Sequence, residues 1–227
     1  MGDEIIYVDY EDESVLKDIQ SLVSKDLSEP YSIYTYRYFL HQWPGLCVCA
    51  YAREGGSASS SSAVPYVESR IDNDVLKYSS ESVAGSEIPL NERGKMVGTI
   101  LCKAERERGE TFKGYIAMLT VDDKYRKRGI GVKLARIGIC RMFELGCEEI
   151  ALEAEATNVG ALSLYEKLGF MRDELLCRYY LNGSDAYRLR LWSDKIGQFA
   201  GFDFDKADEN DYDGKKRDIL SLENILK

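Results

Sequence analysis

Arg126-Lys127-Arg128-Gly129-Ile130-Gly131 is a basic turn, twice punctuated by glycine, set between a strand pattern and a helix pattern. Before it runs Gly114-Tyr115-Ile116-Ala117-Met118-Leu119-Thr120-Val121, mostly apolar and strand-like. After it, Val132 to Leu145 places Val132, Ala135, Ile139, Met142 and Phe143 on one helical stripe. A strand that feeds a glycine turn at a helix N-terminus points several unpaired backbone N–H groups at one anion. Glycine lets those groups approach phosphate oxygens with no Cβ in the way, and it tolerates unusual φ. Three cations beside the donors suit a pyrophosphate. An isolated R-x-x-G-x-G also fits a basic surface turn, and its spacing matches neither G-x-G-x-x-G nor a Walker loop. The rest of the chain has to decide.

Composition bounds that decision. The chain has 227 residues, 44% of them hydrophobic, which suits one ordinary domain with room for tails. No stretch approaches the roughly 20 consecutive apolar residues of a membrane span. The acidic opening Met-Gly-Asp-Glu predicts neither a secretory signal nor a transit peptide, and Ile6 stands where a myristoylation signal needs Ser or Thr. Six cysteines without a C-x-x-C pair, together with the single His41, predict buried reduced thiols in a cytoplasmic protein and no metal site. The net charge of −9 argues against direct nucleic-acid binding and makes the basic patch at 126–128 stand out.

Working outward, Ile5 to Val8 reads as a strand, and Val15, Ile19, Leu22 and Val23 mark a helix capped by Asp12 or Ser14 and ended by Pro30. A tyrosine-rich segment (Tyr31, Tyr34, Tyr36, Tyr38) leads to a turn at Trp43-Pro44-Gly45 and a buried strand from Leu46 to Ala52. Residues 54–93 include Gly- and Ser-rich low-complexity sequence and are expected to form a flexible insertion. Strands follow at Met96–Lys103 and Glu149–Ala156, with a short helix from Asn158 to Leu168 stopped by Gly169. Phe170–Leu181 and Ala186–Trp192 read as two strands around the hairpin signal Asn182-Gly183. The expected division is one α/β domain over 1–192, a mixed central sheet flanked by helices, and an acidic tail over 193–227.

The order strand, glycine turn, helix, strand, helix, hairpin is similar to that of the GNAT acyl-CoA transferases. Gly114–Leu119, Arg126-x-x-Gly129-x-Gly131, Asn158 and Leu164-Tyr165-x-x-x-Gly169-Phe170 resemble its N-terminal acetyltransferase branch. The stretches from Asp26 to Phe39 and from Arg178 to Gly183 resemble the catalytic subunits of NatC complexes. The resemblance spans 5–52 and 95–192. It implies that acetyl-CoA lies along Leu119, Thr120 and Val121, over Arg126, Lys127, Arg128, Gly129, Ile130 and Gly131, and reaches Asn158, Tyr165 and Lys167. Asn158 and Tyr165 are about two helical turns apart and face one side. Asn158 is also a natural helix N-cap, and Tyr165 equally suits a core aromatic.

Glu153 lies in an otherwise apolar strand, with Glu155 on the same face. Two such carboxylates are commonly solvated, but a central strand beside the donor would bury one and tune it as a general base. A peptide α-amine, with pKa about 7.7–8.0 against about 10.4 for lysine, needs only modest base assistance. The expectation is therefore Glu153 as base through a water, Tyr165 as acid to the leaving thiolate, and Tyr115 positioning the amine or that water. Acceptor residues are expected at Leu27, Glu29, Pro30 and Tyr31 and at Tyr179 and Tyr180, where rings with polar tips can line an apolar pocket. Glu29 is placed to pair with the α-ammonium.

The resemblance further implies an acceptor starting with Met and a bulky apolar residue. It implies a large auxiliary subunit and a small Sm-like one, which bring the enzyme to the ribosome and to nascent-peptide N-termini. Residues 31–43 and 219–226 are candidate docking segments. Two rivals stay open: acetylation of lysine side chains or small amines, and a non-catalytic acetyl-CoA-binding scaffold.

Overall fold

The computed structural model describes residues 3–27, 29–53, 88–106 and 111–193. Most of the expected insertion, 54–87, and the tail from 194 onward lie outside the described residues, as does the docking segment 219–226. In chain order the elements are β1 (Glu4–Asp9), α1 (Leu16–Asp26), α2 (Ile33–Gln42), β2 (Cys47–Arg53), β3 (Lys95–Arg106), β4 (Phe112–Val121), α3 (Ile130–Glu144), β5 (Glu149–Glu155), α4 (Val159–Lys167), β6 (Met171–Leu176) and β7 (Ala186–Trp192).

The strands form one seven-stranded sheet in the order β1-β2-β3-β4-β5-β7-β6. Every neighbouring pair is antiparallel except β4 and β5, which run parallel. Helices cover both faces, the layering that a mixed sheet needs to bury both of its surfaces. On one face Ile19, Val23 and Leu40 of α1 and α2 pack over Val8, Leu101 and Met118. On the other, Leu134, Met142 and Leu162 of α3 and α4 pack over Ile100, Ile116, Ile150 and Leu189.

Three local expectations change. The first helix stops at Asp26, four positions before Pro30; Leu27 is extended and its N–H closes the last turn on the Val23 carbonyl at 2.9 Å. The described residues that follow, Leu27 and Glu29 to Tyr31, belong to no helix, and Leu27, Glu29 and Tyr31 face the cleft between β4 and β5. The tyrosine-rich segment, given no element from sequence, forms α2: Ser32 caps it by accepting from the Thr35 N–H, and Tyr36, Phe39 and Leu40 bury one side. Aromatic and β-branched residues have middling helix propensity, so the cap and the tertiary contacts carry this helix.

The hairpin is also looser than an Asn-Gly two-residue turn. Strand pairing ends at Leu176 opposite Ala186, and residues 177–185 form a loop. Asn182-Gly183 turns its tip, with Gly183 at φ 82° and its N–H on the Tyr180 carbonyl at 2.8 Å. Tyr179 and Tyr180 therefore sit on a loop that can lean over the sheet, not on a strand.

Candidate active site

The parallel pair β4 and β5 opens the sheet. Its ladder pairs Lys113–Tyr115 with Glu149–Ala151 and goes no further among the described residues. Just beyond, Ala117 is an extra residue on β4: Leu101 of β3 faces Met118 while Cys102 faces Ile116. A bulge of this kind bends its strand and ends pairing. The backbone groups of the distal half of β4 that face β5 are thus left without a ladder partner, at the floor of a cleft of about 810 Å³.

At one end of the cleft β4 runs into the glycine turn. Lys127 and Gly129 both take left-handed backbone, at φ 59° and 73°. This folds the chain sharply into α3, whose first turn has no side-chain cap. The first N–H groups of any helix lack intrahelical acceptors, and here they open toward the cleft beside Lys127. Gly131 lies close under Leu164, whose Cδ1 is 3.3 Å from where a Cβ would stand.

The cations of the turn do not act as three equal charges. Arg126 is held by Asp26 at 2.5 Å, by Asp123 at 2.9 Å and by the Val121 carbonyl at 3.0 Å. Arg128 donates to the Asp3 carbonyl at 3.0 Å and stacks on the Tyr125 ring. Lys127 pairs with no carboxylate among the described residues and lines the cleft. Asp26, which the sequence reading passed over, also accepts from Thr120 Oγ1 at 2.7 Å. An aspartate ending a helix opposes the macrodipole, and Arg126 offsets that conflict while fixing α1 to the turn.

At the opposite end four tyrosines surround one carboxylate. Glu153, 8% exposed at its side chain, accepts from Tyr115 Oη at 2.6 Å and pairs with Arg188 of β7 at 2.9 Å. Burial and the adjacent Glu153 charge push the Tyr115 phenol far above its ordinary range, so its proton stays on the ring and points at the carboxylate. Burial, followed by the Glu153 charge, also raises Tyr179, and burial with neighbouring Glu29 raises Tyr31. Tyr180 is raised by burial first and then by Tyr31 and Tyr179. Sequence reasoning anticipated burial at Glu153 but not its compensating cation.

The mouth is bridged from both sides. Glu29, on the loop after α1, accepts from the Leu181 N–H of the 177–185 loop at 2.8 Å. Between the two ends Asn158 caps α4, accepting from the Ala161 N–H at 3.0 Å, while also lining the cleft. Its side chain is thus the helix cap that its position suggested, set at the wall of the cleft. Tyr165 is buried, meets the Phe170 ring edge-on at 5.4 Å and lines the cleft, with burial raising its phenol well above the ordinary value.

Most of the anticipated residues thus share one cavity: Leu27, Glu29, Tyr31, Tyr115, Leu119, Thr120, Val121, Arg126, Lys127, Gly129, Ile130, Gly131, Glu153, Asn158, Tyr165, Tyr179 and Tyr180. Pro30, Arg128 and Lys167 do not line it. Pro30 is exposed, Arg128 turns to the N-terminal strand, and Lys167 is exposed at the far end of α4. Asp26, Tyr125 and Leu181 line the cleft unannounced. Only Asp26, a charge at a helix C-terminus, carried a signal that local reading could have found.

A splayed parallel strand pair above a glycine turn and helix N-terminus is the framework of the acyl-CoA acetyltransferases. Residues 62–170 match the family model described as Acetyltransferase (GNAT) family, and the chain belongs to that family. Within it, the chain is 44% identical over 190 residues to "N-alpha-acetyltransferase 30" of Xenopus laevis, covering 84% of this chain and 55% of the relative. It is 44% identical over 188 residues to "N-alpha-acetyltransferase MAK3" of Arabidopsis thaliana, covering 83% and 77%. The chain therefore spans about half the length of the Xenopus relative and about three quarters of the Arabidopsis one. A solved chain of the NatC complex bound to Gag peptide and CoA superposes with TM-score 0.65 at 37% identity, covering 83% of this chain and 98% of that one.

Proposed function

We propose that this chain is the catalytic subunit of a NatC-like enzyme that moves acetyl from acetyl-CoA to the α-amine of proteins beginning with Met and a bulky apolar residue. The observation that carries the reading is Glu153, a buried carboxylate ringed by phenols where the donor cleft meets the bridged mouth. The N–H groups opening α3, with Lys127 beside them, suit the pyrophosphate of CoA. The unladdered edge of β4 at Leu119–Val121 suits the amides of the pantetheine arm, and Asn158 and Tyr165 flank the path to the thioester.

In the reaction the neutral α-amine attacks the thioester carbonyl, a C–N bond forms, and the C–S bond breaks as the thiolate leaves. The amine proton passes to Glu153 through a water. Each carboxylate oxygen has a second lone pair beyond those that accept from Tyr115 and Arg188. Tyr115 orients that water. Tyr165 acts as a hydrogen-bond donor to the departing thiolate. Its phenol lies above about 10 whereas a free thiol lies near about 8.5, so complete transfer of its proton would run uphill by at least about 2 kcal/mol. This narrows the role of acid that sequence suggested for it.

Acceptor choice falls to Leu27, Tyr31, Tyr179 and Tyr180, under a roof that Glu29 ties to Leu181. Glu29 in this arrangement holds the roof, and Glu153 supplies the negative charge facing the ammonium. A closed roof suits a chain end over a lysine in mid-chain. On α2, Tyr34 and Tyr38 are exposed beside buried Tyr36 and Phe39, a surface suited to a large auxiliary subunit. With a small Sm-like subunit this would bring the site to ribosomes in the cytoplasm. No helix among the described residues is long and apolar enough to cross a membrane, and no group of His, Cys, Asp and Glu among them could hold a metal.

The test is CoA release with peptides beginning Met-Leu, peptides beginning Ser-Glu, and an N-terminally blocked peptide with one lysine. The Met-Leu peptide is expected to react at least about tenfold faster than either other. Equal rates would remove the pocket argument. Faster lysine turnover would favour side-chain acetylation.

A further inference from the structure

We propose that Arg188 is a positioning residue for acetyl transfer, balancing the charge of Glu153 and aiming its carboxylate at the acceptor end of the cleft. The inference rests on the reading of Glu153 as the proton acceptor. Arg188 stands directly opposite Glu153 in the register of β5 and β7, the arrangement in which cross-strand side chains interact most strongly. Its Nε donates to Glu153 Oε1 at 2.9 Å, and its other arm reaches Glu174 of β6 at 3.0 Å. Arg188 does not line the cleft, so it acts through Glu153 and not on substrate.

A carboxylate this buried is costly to keep ionised unless a cation and hydrogen bonds compensate it. The groups facing Glu153 are Tyr115 from β4, Tyr31 from the loop after α1, Tyr179 and Tyr180 from the 177–185 loop, and Arg188 from β7. Four of these are neutral phenols whose own protons are held tightly. Phenols can orient the carboxylate, but they do not balance its charge; Arg188 does. Because Tyr115 takes Oε2 and Arg188 takes Oε1, the carboxylate is fixed from two different strands. Without the guanidinium, the carboxylate would lose its anchor at Oε1 and the cation that faces it, and would be free to turn away from the cleft.

The experiment compares R188M, R188K, E153Q and the double variant E153Q/R188M in the full chain, reading kcat and both KM values with a Met-Leu peptide. R188M is expected to lower kcat about tenfold or more while acetyl-CoA KM stays within about twofold. R188K should recover kcat to within about threefold of the parent, because charge returns without the fork. The double variant should be no slower than E153Q alone, since the two side chains act as one unit. Multiplicative losses, or an R188M enzyme with full kcat beside a slow E153Q, would overturn the role of Arg188 and leave that of Glu153 standing. An E153Q enzyme with full kcat would remove both. If R188M does not fold, R188Q, which keeps a hydrogen bond but no charge, is read in the same way.

Discussion

At the donor end of the cleft, between residues 119 and 131, the surface offered to a ligand is largely backbone: an unladdered strand edge, a left-handed turn and an uncapped helix start. At the acceptor end it is mostly side chains brought together from four segments, the loop after α1, β4, β5 and the 177–185 loop, with Glu29 accepting from the Leu181 N–H across 152 positions of sequence. On the proposed reading the donor end binds what every acetyl-CoA shares, for which backbone geometry suffices. On that proposed reading the acceptor end has to discriminate between peptides and move a proton, and both tasks need particular side chains at particular distances.

If that division is right, damage at one end should leave the other end's kinetic constant alone. The largest effect is expected from Glu153→Gln, which should lower kcat about 100-fold with acetyl-CoA KM unchanged, as steady-state kinetics will show. Next comes Gly129→Val, which forces a β-branched residue into φ 73°. It should raise acetyl-CoA KM about tenfold while peptide KM moves by less than about twofold. A comparable rise in peptide KM would mean that the turn also shapes the acceptor end.

A smaller effect is expected from Glu29→Ala, which frees the Leu181 N–H and loosens the roof. Loss of one charge-assisted hydrogen bond at a partly exposed site corresponds to about 1 kcal/mol, or about fivefold in peptide KM, with acetyl-CoA KM constant. The smallest expected effect is none. The phenols of Tyr115, Tyr165 and Tyr180 are held above their ordinary range by burial, so they keep their protons as pH rises. Thus kcat/KM should climb as the α-amine deprotonates through about 7.7–8.0 and then stay level to about pH 10. A descending limb below about pH 10 would show a titrating group that these phenols do not supply.

The same contrast sets how much was legible beforehand. The donor turn, its strand and its helix were readable because each depends on a few consecutive residues: apolar alternation, glycine where φ turns positive, and a periodic stripe behind it. Glu153 was readable as an oddity, a charge in an apolar strand. Arg188 was not, because its partner is chosen by the register of β5 against β7. The pairing of the turn's cations was hidden for a similar reason: Asp26 reaches Arg126 from 100 positions away. Local reading also extended α1 toward Pro30 and made the 177–185 loop part of a tight hairpin, since neither stop is encoded by a single breaker.

Sequence alone determined the element order around 112–168, the glycine turn and the apolar faces that place helices on both sides of a sheet. These follow from backbone sterics and hydrophobic periodicity, which act over neighbouring residues. Only the tertiary structure decided which cations of the turn remain for a ligand, which residues roof the mouth, and that the buried Glu153 carries a guanidinium at its back. Those outcomes depend on desolvation and on charges meeting across strands, and neither exists until the sheet has closed.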